Sequence, residues 1–196
     1  MKKNNTNKIS TKVIVGAGML TAVAIVLQYL EFPVFFMPTF IKLDLSDLPA
    51  LIGAFAYGPW AGVLIELVKN LLHCLVSQSA TVGELANFIL GAVFTWTAGM
   101  IYKKNKSKKT ALLGGIAGAV IMGLISVPAN YCVVYPFYYN FMPKEVVLTL
   151  YQALIPGVKS IVQCLLVFNL PFTVVKGLIC VAVSMFIYKP LSKILK

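Results

Sequence analysis

The apolar residues of this chain run on for longer than a water-soluble fold can use. Four stretches, 13–30, 48–76, 85–102 and 111–134, carry almost no charge, and a fifth at 161–188 is interrupted by Asn169, Pro171 and Lys176. A helix that crosses the hydrocarbon core of a bilayer needs about 20 such residues. Composition leaves them no other home. Of 196 residues, 59% are hydrophobic and 12% charged, against roughly 25% charged in a soluble domain. The expected fold is an all-α integral membrane protein with one domain, 1–196.

Charge sets the topology. The formal net charge is +11, from 17 lysines and no arginine against six acids. Twelve lysines fall in three groups: Lys2, Lys3, Lys8 and Lys12; Lys103, Lys104, Lys106, Lys108 and Lys109; and Lys189, Lys193 and Lys196. None of the groups contains an acid, and each flanks an apolar run. They read as cytoplasmic anchors under the positive-inside rule, not as a nucleic-acid surface. The N-terminus and the middle group share a side only if an even number of segments separates them. Gly58-Pro59 supplies the missing break in 48–76, because proline lacks an N–H and disfavours helix in the residue before it. Six transmembrane helices with both termini cytoplasmic follow. The first half of the split, 48–57, is short and is expected to be tilted or thinly covered by lipid. A cleaved signal peptide ending near Ala22-Val23-Ala24 is the weaker reading, since the apolar run continues to Leu30.

On this topology 1–12 is a cytoplasmic basic terminus, 103–110 a cytoplasmic basic loop, and 31–47 and 135–158 are outer connections. The cluster Tyr131, Tyr135, Phe137, Tyr138, Tyr139 and Phe141 lies at an outer edge. It reads equally as an interfacial aromatic belt and as a lid over an outward pocket. The cysteines Cys74, Cys132, Cys164 and Cys180 have no metal or disulfide spacing and read as small packing residues.

Glu66, Lys69, Asn70 and His73 occupy i, i+3, i+4 and i+7, one face of a helix. A charge at the bilayer centre costs about 2.5–3.5 kcal/mol, so this intramembrane stripe must face protein or a water-filled cavity. It serves either as a packing pair, Glu66 with Lys69, or as part of a site. No second histidine or thiolate accompanies His73, so no metal is expected. Asn87 and Asn130 are further polar points. Lys176 follows Asn169 and Pro171 into the membrane and must meet an acceptor, a cavity or the interface. Gly18-x-x-x-Ala22 and Gly114-x-x-x-Gly118 permit close helix approach, either internally or to a partner.

No Ser/His/Asp set, metal cluster or P-loop is present. The order of blocks resembles one family. These are Lys-Leu-Asp-Leu-Ser-Asp-Leu-Pro-Ala at 42–50, Gly-Pro-Trp-Ala-Gly-Val-Leu-Ile-Glu-Leu-Val-Lys-Asn at 58–70, Val-Gly-Glu-Leu-Ala-Asn-Phe at 82–88, Asn130-Tyr131, and Pro171-Phe172 through Lys176-Gly177. They are similar to the riboflavin-specific S components of energy-coupling factor (ECF) vitamin transporters, over about 10–190. The resemblance implies a multi-pass subunit of the bacterial cell membrane that captures riboflavin from outside. It implies docking on a transmembrane coupling (T) component and two ATPases, with no catalysis and no cofactor of its own. It also implies that 31–47 gates the site, that Asn130 and Lys176 contact the flavin, and that helix 1 docks through Gly18 and Ala22, where the family pattern reads Ala-x-x-x-Ala.

Riboflavin has a flat apolar ring, an imide edge and a hydroxylated tail. Such a ligand suits aromatic walls with a few convergent polar groups. Tyr131, Tyr135 and Phe172 are candidate walls; Asn130, Asn87 and Lys176 are candidate polar contacts, and Asp44 and Asp47 come next. The alternatives are an S component for another vitamin or for flavin mononucleotide, a small membrane enzyme using Glu66 and His73 as acid and base, and a purely structural subunit.

Overall fold

The computed structural model describes residues 10–38, 41–77, 81–140 and 142–195, with side chains to Ile187. Lys2, Lys3, Lys8, Phe141 and Lys196 lie outside the described residues, as do the side chains of Lys189 and Lys193. Five helical stretches are long and apolar enough to cross a membrane: Thr11–Tyr29, Pro59–Val76, Val82–Lys104, Lys108–Tyr138 and Ile161–Ile187. A shorter apolar helix, Asp47–Tyr57, stands between the first two.

The break predicted at Gly58-Pro59 is present. Helix α1 (Thr11–Tyr29) is followed by α2 (Asp47–Tyr57) and α3 (Pro59–His73). Gly58 joins the last two at φ 104°, a backbone angle that a side chain resists, and Pro59 opens α3 where no N–H is needed. All residues of α2 from Asp47 to Phe55 are buried, because α1, α3, α4 (Val82–Lys104) and α9 (Leu170–Leu195) surround it. Neighbouring helices, not lipid, cover this short segment over those residues.

The connection 31–47 is not loop alone. Strands β1 (Phe32–Pro33) and β2 (Lys42–Leu43) form an antiparallel hairpin with Phe32 opposite Leu43, and Lys42 pairs with Glu31 at 2.5 Å. The all-α expectation is amended by this one ribbon. The basic loop 103–110 contracts to 105–107. Lys103 and Lys104 close the last turn of α4, where cations favour the helix dipole. Lys108 opens α5 (Lys108–Ala129), whose N-terminus is held by a Ser107–Thr110 capping box.

About half of the connection 135–158 is helical. Beyond Ala129 the rod continues through a wide π turn, Asn130–Val134, into α6 (Tyr135–Tyr138), and α7 (Lys144–Gln152) follows. Pro136 falls in the first turn of α6, directly past the π turn, where its missing N–H leaves a carbonyl of that turn without its helical partner. A second π turn, Leu165–Asn169, links α8 (Ile161–Cys164) to α9. The helix divides the predicted aromatic cluster between both of its readings. Tyr131 and Phe137 face outward, whereas Tyr135 is buried and Tyr138 and Tyr139 are half-buried.

Helix α5 packs between α4 and α9. A β-carbon built on Gly114 would lie 2.8 Å from the Ala98 carbonyl oxygen, and one on Gly118 would lie 2.7 Å from that of Phe94. These glycines therefore serve internal packing. On α1 the opposite holds: Leu20, Ala24 and Gln28 are buried, while Gly18 and Ala22 are exposed and nothing lies within 4 Å of a β-carbon on Gly18. Gly118→Leu should therefore destabilise the fold, by about 1–3 kcal/mol or more from overpacking. Gly18→Leu should leave the unfolding temperature in detergent unchanged. Equal effects of the two would sink this division of faces.

Candidate functional site

Asp44 follows β2 and turns the chain into α2. Its Oδ1 accepts from the Ser46 backbone N–H at 2.8 Å and from the Ser46 hydroxyl, a local turn that presents Asp44 and Asp47 together. Two lysines from other helices meet them. Lys176 of α9 donates to Asp44 Oδ2 at 2.9 Å and pairs with Asp47 Oδ2 at 3.2 Å. Lys69 of α3 donates to Asp47 Oδ1 at 2.6 Å and to Ser46 Oγ at 2.7 Å, and lies 2.8 Å from Glu66 Oε2. All five charged side chains are buried. Glu66 fits because α4 offers Gly91 opposite it: a β-carbon there would fall 2.3 Å from Oε2.

Burial pushes the Asp44 carboxyl up, and Asp47 adds to that. Lys176, then Lys69 and the Ser46 hydroxyl, outweigh both and hold it below its ordinary value of 3.8.

The network forms one wall of a cavity of about 590 Å³. The cavity lies where α1, α3 and α5 end and α2 and α4 begin, and α9 closes its side. Seven of the eight predicted ligand residues line it: Asn130, Lys176, Asn87, Tyr135, Phe172, Asp44 and Asp47. Tyr131 does not. It is 52% exposed and points away, because the residue next to Asn130 in a helix lies about a quarter-turn round from the inner face that Asn130 occupies. The aromatic-wall role expected for Tyr131 is corrected accordingly.

Both π turns deliver an asparagine to the cavity. Asn130 donates one amide N–H to the Ser126 carbonyl at 2.7 Å, which leaves its side-chain oxygen and second N–H to offer. Asn169 accepts from the Tyr151 hydroxyl at 2.8 Å, and Tyr151 meets the Tyr135 hydroxyl at 2.5 Å. Asn169, Thr173 and Lys176 all line the cavity, and their i, i+4, i+7 spacing was readable in the sequence; Asn169 and Thr173 were nevertheless missed as a group. Glu84 was missed as well.

The polar stripe of α3 divides. His73 lines the cavity, with Nδ1 3.0 Å from Glu84 Oε1 and the Tyr29 ring 5.4 Å away. Glu66, Lys69 and Asn70 stand behind the wall, where Asn70 accepts from Gln28 at 3.1 Å. Glu66 and His73 thus do not converge as an acid–base pair: one is sealed against Lys69 and the other faces Glu84.

A family model described as "ECF transporter, substrate-specific component" matches residues 12–188. The chain belongs to this family. The S component is 34% identical over 195 residues to the riboflavin transporter RibU of Staphylococcus aureus, which covers 99% of this chain and 97% of the relative. It is 31% identical to the riboflavin transporter FmnP of Bacillus subtilis over 185 residues, 92% of each chain. A solved structure described as the S component of a bacterial ECF transporter superposes with a TM-score of 0.74 at 34% identity, covering 94% of this chain and 98% of that one. The S component is thus a membrane transport protein and not an enzyme.

The buried network makes the fold sensitive to acid. A carboxyl held below its ordinary value contributes stability above that value and loses it as pH falls through the lower folded value. Unfolding temperature should therefore drop as pH falls below 3.8. Asp44→Asn should be less stable at neutral pH and should show a shallower acid dependence. Asp47→Ala takes one of two carboxylates from each buried lysine, leaving Lys176 with Asp44 and Lys69 with Glu66, and should cost about 1–3 kcal/mol. Wild-type stability at neutral pH in Asp47→Ala would refute the role of this network.

Proposed function

We propose that this S component captures riboflavin in the cavity and passes it into the cell through an ECF module of one T component and two ATPases. The observation that carries the reading is the cavity itself, in a chain similar to named riboflavin transporters over nearly its whole length. Its volume falls in the range of small-molecule sites. Phe172 and Tyr135 supply flat walls for the ring system, and Asn130, Asn87 and Asn169 face its hydrogen-bonding edges. Lys176 has three donors, two of them directed at Asp44 and Asp47; the third is assigned to the ligand.

The hairpin segment 31–47 serves as the gate, since Glu31, Ile41 and Lys42 line the cavity from above. Helix α2 counts as the sixth transmembrane segment, which puts both termini and the 103–110 turn on the cytoplasmic side and the cavity outside. Gly18 and Ala22 form the smooth face through which α1 meets the T component. Gly18→Leu/Ala22→Leu should abolish co-purification with the module and spare riboflavin binding.

Removing one hydrogen-bond partner from a desolvated ligand edge costs about 1–3 kcal/mol, roughly 5- to 150-fold in dissociation constant. Asn130→Ala and Asn87→Ala should each show such a loss by riboflavin fluorescence titration. Lys176→Met is a poor single test, because it also leaves Asp44 without its lysine; Lys176→Met/Asp44→Asn removes the pair together. Unchanged affinity in all three would place the ligand elsewhere.

Topology has its own measurement. In a background without native cysteines, Asn140→Cys should react with an impermeant thiol reagent in intact cells and Ser107→Cys should not. The reverse pattern would invert the orientation.

A further inference from the structure

Phe172 belongs to two cavities. One side of it lines the ligand cavity. It also lines an apolar groove of about 140 Å³ with Phe36, Met37, Val167, Phe168, Pro171 and Val175. Every lining residue of that groove is apolar. Val167 and Val175 lie six and fourteen residues into the span Ile161–Ile187, hence about 9 and 21 Å along the helix at 1.5 Å per residue. A hydrocarbon core is about 30 Å thick, so the groove sits at acyl-chain depth, around the middle of the bilayer. Both valines are 50% exposed, so the groove opens sideways.

The gate reaches down to this level, because Phe36 and Met37 are part of the groove. Its neighbours are also bare: Phe32 is 53%, Phe35 95% and Phe36 57% exposed. Three uncovered phenylalanines beside a two-stranded ribbon would be a liability in water and are at home in hydrocarbon.

We propose that this groove binds a phospholipid acyl chain and that the gate tip is seated in the bilayer. The chain backs the ring of Phe172 on one face while the transported ligand occupies the other. Lifting the gate then drags Phe36 and Met37 off the lipid, so the bilayer helps hold the gate shut.

The test needs no transported ligand and stands whether or not riboflavin is the substrate. The native protein is reconstituted in vesicles containing phosphatidylglycerol with a diazirine in its acyl tail, irradiated, digested and mapped by mass spectrometry. Adducts are expected at 35–37 and at 167–175. Adducts confined to the outward faces of α1 and α4, with none in these two segments, would overturn the site. A second arm places Phe36→Trp in a Trp60→Phe/Trp96→Phe background. Lipids brominated at mid-chain should remove most of its emission, while Asn105→Trp, on the lysine-rich turn, should keep its own. Equal emission from the two in brominated lipid would overturn the seated gate.

Discussion

Two ammonium groups buried among apolar helices need anions, and meeting that need arranges much of this molecule. Lys69 and Lys176 stand on different helices and are both enclosed. The acids that answer them, Asp44 and Asp47, come from a third place, the chain leading into α2. A buried pair is weak evidence of net stability, because desolvation offsets much of the attraction. Its value here is positional. The network tolerates one register of α3, α9 and the gate's base, since any other strands a charge in a medium without water.

Prolines shape the same site by a different route. Pro171 withholds an N–H near the start of α9, two residues past one π turn, and Pro136 does so near the start of α6, two residues past the other. At each place the helix widens into a π turn instead of breaking. A widened turn shifts the helical phase and frees backbone groups. Asn130 and Asn169 occupy these turns and point inward. The polar part of the cavity is therefore built from two irregularities in otherwise regular apolar helices.

Much of this was legible in the sequence, because lipid punishes the alternatives so heavily. Apolar run length located the spans, lysine clustering demanded an even number of crossings, and Gly58-Pro59 supplied the break that the structure contains. Charged residues inside apolar runs marked Lys69, Glu66 and Lys176 as enclosed. Pairing was less legible: Asp44 and Lys176 are far apart in the chain, and no local pattern announces a contact of that separation. Direction was also illegible in the aromatic cluster: Tyr131 was grouped with the walls by its residue type and its place beside Asn130, neither of which fixes where a side chain points. The helices hidden in 135–158 were missed because aromatic and proline content obscured their start.

The three lysine groups have an electrical consequence. Every acid lies in the connections 31–47 and 135–158 or among the buried residues, while the sequence gathers twelve lysines before the first span, between the fourth and fifth, and after the last. On the orientation proposed above, the subunit sits in the membrane potential as a strongly polarised body, positive pole toward the negative interior. Carrying one elementary charge across that field costs about 2.3 kcal/mol per 100 mV. A resting cell thus applies a standing restoring force to any motion that lifts the basic turn between α4 and α5 into the bilayer, and a de-energised cell applies none.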